Sequence, residues 1–392
     1  MNSAQIKRIL PLIIFAFSAL SLFSACSTSV KNGWARAGGE KDYQRMGLSR
    51  TGIDIWEDGL RTDGGEGTFE WWYFDAKLGD GSTIVVVFYT KNMLDISTPM
   101  APFVSVSMTD PDGKTTLNRY YYPEKNDYQF SKKRCDVRIG KNMVSGDLHQ
   151  YSLHLDFDDI LADINFQGTT PAWRPETGHS YFVDDSGETF FAWLPSIPQG
   201  TVNGTMSIGG KLLEIEGSAY HDHNWGNGSM VKQMHDWYWG RAEVGPYTVI
   251  TAWITTTEEY GGKPGPVFFL SRDGKILAED SKYVTCELKD IYVDQNTGKP
   301  VAKTIIYNYD DGTDHYRVTF YRERDIENVN FLDLATGLDY IVGKLVGFDG
   351  AYIRFSGRVT IDRLVANQVV DSAAEESAVW ELMYFGHAPE KE

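Results

Sequence analysis

The chain has 392 residues, of which 42% are hydrophobic and 23% charged, a composition that provides a sizeable core and excludes wholesale disorder. Its 54 acidic and 37 basic residues give a net charge of −17, which excludes a nucleic-acid partner because phosphates would be repelled. Aromatic side chains make up 14%, and 38 glycines stand against 14 prolines, a balance that favours strands and tight turns over helices.

Residues 1–25 have the pattern of a secretory signal peptide. Lys7 and Arg8 form a positive region, and the apolar run that follows is too short to span a bilayer comfortably. Small residues then precede Cys26, an arrangement that resembles a bacterial lipobox with Cys26 as the acylated first mature residue. Ser27 at the next position implies an outer-membrane lipoprotein facing the periplasm. The alternative is an ordinary secretory signal followed by a chance cysteine.

The rest of the chain divides into a tether and two predicted domains. Residues 26–49 are polar and contain glycine, which predicts a tether. Beyond it, short alternating apolar runs recur between turn signals such as Asp311-Gly312, and helical periodicity is hard to find. This pattern predicts an all-β chain that is too long for one small barrel, so we expect domains over 50–230 and 231–392.

Two further cysteines, Cys135 and Cys286, fall in different predicted domains, so we expect them to be unpaired. Two lone thiols are not a metal signature. The sequence also lacks a phosphate-cradling glycine loop and a helix-rich α/β pattern, so we predict no cofactor and no metal. It carries no prediction of oligomeric state.

The first motif with chemical potential is Gly67–Asp75. In a strand, Glu70 and Trp72 share one face, while Trp71 and Tyr73 share the other. A carboxylate beside aromatic rings on an inner face would be desolvated, which favours its protonated form and would make Glu70 a general acid. The alternative is a structural carboxylate held by backbone donors or by an arginine.

The second motif is Gly217–Gly226. Strand alternation puts His221, His223 and Trp225 on an apolar face that we expect to point inward, with Asp222 and Asn224 on the other face. We predict that the two imidazoles and Glu70 line one cavity.

Three interpretations of the histidine pair stay open. The pair could chelate a metal, with His235 or a carboxylate as third ligand. It could perform acid–base chemistry with Asp222 or Glu70. It could also be a buried polar network that fixes the end of a barrel.

The third motif places Trp237, Trp239 and Arg241 on one strand face. Such an aromatic wall could stabilise a carbocation or line an apolar pocket. Core packing is the alternative for each tryptophan taken alone.

Together these motifs resemble the carotenoid 1,2-hydratase (hydroxyneurosporene synthase) and AttH-like superfamily. The resemblance rests on 70–73, on the Trp/Pro/Gly stretch 193–200 and above all on 221–226, and it extends from about residue 50 to the Trp380-Glu381-Leu382 strand. It implies a tandem pair of lipocalin-like antiparallel β-barrels with a ligand cavity near the motifs.

The superfamily includes hydratases of isoprenoid double bonds, a fungal hydratase of a plant defence compound, fungal Diels–Alder-type cyclisation catalysts and lipoproteins. In the hydratase branch, a Tyr-x-Asp on a following strand supplies the acid, but the comparable stretch here, 249–254, has no Asp. Glu70 or Asp222 would have to replace that acid.

These observations predict a lipid-anchored protein that acts on a hydrophobic isoprenoid, polyketide or lipid-like molecule by acid-catalysed hydration, isomerisation or cyclisation of a double bond. A non-catalytic periplasmic carrier of a lipid, quinone or pigment is the alternative, and a glycan-binding module is the third interpretation. The expected catalytic residues are Glu70, Asp222 and His223. The expected ligand-binding residues are Trp72, Tyr73, His221, Asn224, Trp225, Trp237, Trp239, Arg241 and Trp253.

Overall fold

The computed structural model describes residues 33–93, 96–334 and 348–386, and strands dominate these ranges. The prediction of an all-β class is therefore confirmed. The predicted signal segment and Cys26 lie outside the described residues. Within them, no helix has the length and apolar composition needed to cross a bilayer.

The strands form two antiparallel sheets. The first contains β1 (Gly33–Arg36), β2 (Thr68–Leu78), β3 (Thr83–Tyr89), β4 (Phe103–Thr109), β5 (Thr115–Tyr121), β6 (Tyr128–Phe130), β7 (Asp136–Ile139), β8 (Asn142–Gly146), β9 (Gln150–Phe157), β10 (Ile160–Gly168), β11 (His179–Asp184), β12 (Gly187–Ile208) and β13 (Lys211–Asn227). The second contains β14 (Met234–Val244), β15 (Tyr247–Thr256), β16 (Pro264–Arg272), β17 (Lys275–Ala278), β18 (Val284–Val293), β19 (Pro300–Asp310), β20 (His315–Asn330), β21 (Ala351–Val365) and β22 (Gln368–Tyr384).

The helices in the described ranges are short. They are α1 (Glu40–Met46), α2 (Met230–Gln233) and α3 (Phe331–Leu334), with 3-10 turns at Ile55–Asp58, Glu258–Tyr260 and Ser281–Tyr283. The first sheet ends at Asn227 and the second begins at Met234, so α2 lies in the connection between the sheets.

Both sheets follow the same plan, in which the last strand returns beside an early one. The strand order is β5-β4-β3-β2-β13-β12-β10-β9-β8-β7-β6 in the first sheet, where β11 pairs with β12 and β1 with β11. It is β17-β16-β15-β14-β22-β21-β20-β19-β18 in the second. The motifs at 67–75 and 217–226 therefore lie on paired neighbouring strands, β2 and β13.

Three large clusters of buried side chains form the core. One lies within the first sheet around Trp72 and Phe74, and another within the second sheet around Phe355 and Trp380. The third cluster joins the sheets and combines side chains such as Tyr220 of β13 with side chains of β15 and β16. Strands β2 and β13 are consequently buried on both faces.

The predicted tether over residues 26–49 is wrong for residues 33–49, which are part of the fold. Strand β1 pairs with β11, and a guanidinium nitrogen of Arg36 donates to the carbonyl of Pro266 at 2.6 Å. Tyr43 of α1 is buried, and Trp34 packs against the cluster between the sheets. These aromatic contacts bury a segment whose polar composition is typical of a linker.

Candidate functional site

The two histidines of β13 point into the core of the first sheet. His221 stacks on Phe74 with ring centroids 3.9 Å apart, and His223 stacks on Trp72 at 4.5 Å. All four side chains are buried, with at most 1% exposure. The strand register explains the stacking because it places each histidine directly opposite its aromatic partner.

Asp58 lies between the two imidazoles. Its Oδ2 is 3.3 Å from Nε2 of His221, and its Oδ1 is 3.3 Å from Nδ1 of His223. The hydroxyl of Tyr151 donates to Oδ2 at 2.5 Å. Burial alone raises the pKa of Asp58, but the charges and hydrogen bonds of the two histidines outweigh it and hold that pKa well below the ordinary value.

Each histidine turns its other nitrogen to a second acceptor. Nδ1 of His221 donates to the carbonyl of Tyr73 at 2.9 Å, and Nε2 of His223 lies 2.8 Å from Oε1 of Glu70. Burial alone lowers the pKa of His223, but the interactions with Asp58 and Glu70 prevail and raise it. The cluster is therefore a buried polar network, as in the third of the interpretations considered for the pair, although Oδ1 of Asp58 and Nδ1 of His223 make no hydrogen bond among the described residues.

Glu70 accepts four hydrogen bonds. The backbone N–H of Arg61, the backbone N–H and hydroxyl of Thr62, and Nε2 of His223 lie 2.7, 2.7, 2.7 and 2.8 Å from its oxygens. These contacts hold the carboxyl group in the core of the first sheet, an arrangement that matches the alternative of a structural carboxylate held by backbone donors. The role of Glu70 as a general acid stays a prediction.

One set of described side chains could hold a cation. Ligand atoms of Asp58, Cys135 and His221 lie within 4.8 Å of one another. Burial raises the pKa of the Cys135 thiol well above its usual range, which disfavours the thiolate form that binds metals. His235, the suggested third ligand, lies instead in the second sheet, where its Nδ1 is 2.5 Å from Asp236. Cys135 and Cys286 are both free, as predicted.

A cavity of about 120 Å³ lies on the opposite face of β13 and β2, between the two sheets. It is lined by aromatic and aliphatic side chains and by three polar ones. We call it the aromatic cavity, and its walls are Trp71, Tyr73, Phe191, Trp193, Trp237, Trp239, Ala252, Ile254, Asp222, Asn224 and Glu381.

Asp222 is the first carboxylate in the wall of the aromatic cavity. It accepts hydrogen bonds from the hydroxyl of Tyr220 at 2.7 Å, from Nε1 of Trp193 at 2.8 Å and from Nδ2 of Asn224 at 2.7 Å. Burial raises the pKa of Asp222 above its ordinary value, although these three donors oppose the shift. The hydrogen bonds also fix the position of the carboxyl group.

Glu381 is the second carboxylate, and the sequence analysis did not single it out. It lies on β22 opposite Trp239, and it accepts hydrogen bonds from the hydroxyl of Tyr352 at 2.8 Å and from Nε1 of Trp237 at 3.1 Å. Burial raises its pKa, and the charge of Asp222 adds to the shift. Two buried acids whose charges oppose each other thus share one apolar cavity, the arrangement that keeps a carboxylic acid protonated.

A second cavity of about 320 Å³ adjoins the first. The two share Tyr73, Trp239 and Glu381 as walls, and seven of the sixteen residues that line the larger one are charged. We call it the polar cavity. In its wall Arg241 donates to Asp75 at 2.5 Å and lies over the ring of Tyr220.

The structure divides the predicted site residues between the two faces of β2 and β13. The aromatic cavity receives Tyr73, Asp222, Asn224, Trp237 and Trp239, and the polar cavity receives Arg241.

The other predicted site residues lie elsewhere. Glu70 and His223 do share one buried face, as expected, but the aromatic cavity lies on the opposite face of β2 and β13. The second sheet covers the face of β13 that was expected to point outward, and the cavity forms there. The residues placed away from the aromatic cavity are Glu70, Trp72, His221 and His223 in or beside the first core, Trp225 in a small cluster beside His223, and Trp253 against the second core.

A family model described as Diels-Alderase-like matches residues 17–350. A quinolone epoxide rearrangement protein, penF of Penicillium thymicola, is 25% identical over 57% of this chain and 64% of its own length. A hydroxyneurosporene dehydrogenase of Chlorobaculum tepidum is 26% identical over 45% of this chain and 53% of its own length. The chain thus spans less than two thirds of either relative.

Two solved structures share the fold. CghA in complex with Sch210972 superposes with a TM-score of 0.56 at 13% identity, covering 86% of this chain and 98% of CghA. An AttH protein of Nitrosomonas europaea gives a TM-score of 0.54 at 13% identity, covering 84% of this chain and 95% of that protein. The expected resemblance to the carotenoid hydratase and AttH-like superfamily, with its lipocalin-like fold, is confirmed.

Proposed function

Because the chain belongs to the Diels-Alderase-like family, we propose that it is an enzyme that isomerises or cyclises an unsaturated hydrophobic small molecule in the aromatic cavity. The observation that carries this proposal is the presence of two buried carboxyl groups, Asp222 and Glu381, in a wall made otherwise mainly of aromatic rings. A relative described as a quinolone epoxide rearrangement protein supports the reaction class.

The aromatic walls supply the binding and the stabilisation of charge. Indole and phenol faces attract a cation by about 0.5–2 kcal/mol per contact, more when water is excluded. Trp237 and Trp239 alternate with Tyr238 along β14, so both indoles face the cavity while the phenol packs in the second core. A positive charge that develops on a bound substrate would therefore meet two indole faces.

The two carboxyl groups supply the proton transfer. The protonated member of the pair gives its proton to an alkene carbon or an epoxide oxygen, which leaves a carbocation beside the indoles. The ionised member then removes a proton from a neighbouring carbon, or an internal double bond attacks the cation before that proton leaves. One proton enters and one leaves, so the reaction is an isomerisation without oxidant or reductant.

A carrier would need the same apolar walls but has no use for two ionisable groups inside them. Removing a carboxyl group from water costs free energy. Burial imposes this cost on Asp222 and Glu381 and raises the pKa of both. Perturbed titratable groups in a cleft are typical of catalytic sites. This favours turnover over simple carriage.

Proton transfer to carbon can be tested in D2O. The full chain is incubated with a lipid extract of the cells that carry its gene, and the products are compared by mass spectrometry with those of Glu381→Gln. We expect a product isomer with one carbon-bound deuterium that the variant fails to form. A hydrophobe that binds at near-stoichiometric level and is recovered unchanged from both proteins would instead identify a carrier.

We also propose that the protein is a lipoprotein of the outer membrane facing the periplasm. Lys7, Arg8 and the small residues before Cys26 support this proposal. Labelling with an alkyne fatty acid should modify the full chain in the cell envelope, and Cys26→Ser should abolish the label. Persistent labelling of the serine variant would overturn the assignment of Cys26.

A further inference from the structure

Arg354 is the feature of the polar cavity that the proposed reaction leaves unexplained. It lies on β21 directly opposite Glu381 of β22 and Glu327 of β20, and its side chain lines the polar cavity. It therefore reaches the compartment next to the two carboxyl groups of the aromatic cavity.

The other cations in this wall have partners. Arg241 is bonded to Asp75 at 2.5 Å, and Lys77 lies 3.5 Å from Glu375. Within the described ranges, the guanidinium of Arg354 makes no hydrogen bond and no ion pair within 4 Å. An arginine stays charged at every physiological pH and carries five N–H donors, and none of these donors is used by the described residues.

The nearby carboxylates direct their oxygens elsewhere. Glu381 accepts from Tyr352 and Trp237, and Asp75 accepts from Arg241 and Tyr73. Burial raises the pKa of Glu327, the other cross-strand neighbour, and so disfavours its negative charge. Asp75 and Glu381 act on the guanidinium of Arg354 electrostatically, but no carboxylate oxygen of the described residues lies within 4 Å of it, so its N–H donors are left for an incoming anion.

We propose that Arg354 binds the acidic group of an amphiphilic substrate, a carboxylate or an enolate; this inference rests on the proposed function. The aromatic and polar cavities share walls, so one molecule can lie across both with its apolar part against the indoles. The planar guanidinium fork matches two oxygens of such a group. Arg354 would thereby fix which carbon of the substrate faces Asp222 and Glu381.

Two fluorescent probes that differ by one charge test this assignment. They are 8-anilinonaphthalene-1-sulfonate and its neutral parent N-phenyl-1-naphthylamine, titrated into the full chain, Arg354→Gln and the control Arg358→Gln. Arg358 lies on the same strand and pairs with Glu376 in a half-exposed surface position. We expect Arg354→Gln to weaken binding of the sulfonate probe by about tenfold or more and to leave the affinity for the neutral probe unchanged. The control should bind both probes like the wild type.

The failures of the two proposals give different results. If the neutral probe binds and the sulfonate is insensitive to Arg354→Gln, the anion assignment is overturned while the aromatic cavity stands. If neither probe binds, the apolar site itself is absent, and both proposals fall. Loss of both probes in Arg354→Gln alone, with a native far-UV spectrum and melting temperature, would mean that Arg354 shapes the cavity and is not an anion site.

Discussion

Nε2 of His223 lies 2.8 Å from Oε1 of Glu70, and both side chains are fully buried on the face of the first sheet that points away from the aromatic cavity. The most conspicuous polar motif of the sequence therefore lies in the core of the first sheet. The proposed chemistry uses the opposite face of the same strands, where Asp222, between the two histidines, and Trp71, next to Glu70, line the aromatic cavity.

Replacing Glu70 should lower stability without weakening ligand binding. Glu70→Gln removes the negative charge beside His223, and breaking a buried ion pair costs about 3–5 kcal/mol. We expect a loss of that order in the free energy of unfolding, measured in urea, with unchanged affinity for N-phenyl-1-naphthylamine. The control Glu287→Gln alters a half-exposed pair with Lys289 and should change stability by less than about 1 kcal/mol. Equal stability of wild type and Glu70→Gln would contradict a structural role.

The buried network should give stability a defined pH dependence. The pKa of His223 is raised above its ordinary 6.5, so its contribution is present below pH 6.5 and is lost as the pH rises through the folded value. The pKa of Asp58 is lowered from 3.8, so its contribution is present above that pH and is lost as the pH falls through the folded value.

These two pH ranges can be tested with a variant that lacks the imidazole of His223. The difference in free energy of unfolding between the wild type and His223→Gln should be largest between about pH 4 and 6.5, and it should shrink at higher pH. A difference that stays constant from pH 5 to 9, or that grows, would show that His223 is not held as an imidazolium.

Removing the acid at Asp222 should separate catalysis from binding. Asp222→Asn keeps the shape and the acceptor for Tyr220 and Trp193 but cannot give a proton to a substrate. Deuterium transfer should fall by about 10²–10⁴, with affinity for the neutral probe unchanged within about twofold. The exposed turn variant Asp185→Asn serves as control. Full deuterium transfer by Asp222→Asn would remove this residue from the mechanism.

The folded segment at 33–49 should matter for stability through its contact with the second sheet. A Cβ at Gly265 would lie 2.5 Å from the ring of Trp34, whereas one at Gly52 would meet nothing within 4 Å. Gly265→Ala should therefore lower the free energy of unfolding by about 1–3 kcal/mol and Gly52→Ala should not. Equal melting temperatures for the two variants would show that Trp34 does not pack against the second sheet.

Much of the fold could be predicted from strand alternation. Trp72 does lie on the face opposite to Trp71 and Tyr73, and the Asp311-Gly312 turn does join two paired strands. Alternation identifies the two faces of a strand but not what covers each one. Alternation placed Asp222 and Asn224 on the face opposite to the apolar one, but it did not show that the second sheet buries that face.

The remaining site residues depend on contacts between sheets, which no local pattern encodes. The sequence gives only a weak indication of Glu381, which lies between Trp380 and Leu382. Both of these neighbours pack in the second core. A carboxylate flanked by two core residues indicates a buried acid, but its meeting with Asp222 requires the docking of the two sheets. Trp34 was missed for the same reason, since its partner Gly265 is distant in sequence.

The location of the ligand is the most direct test of the account. A crystal structure of the protein with N-phenyl-1-naphthylamine should show the rings against Trp237 and Trp239, within reach of Asp222 and Glu381. Density for the probe inside the first sheet, beside His221 and His223, would contradict it.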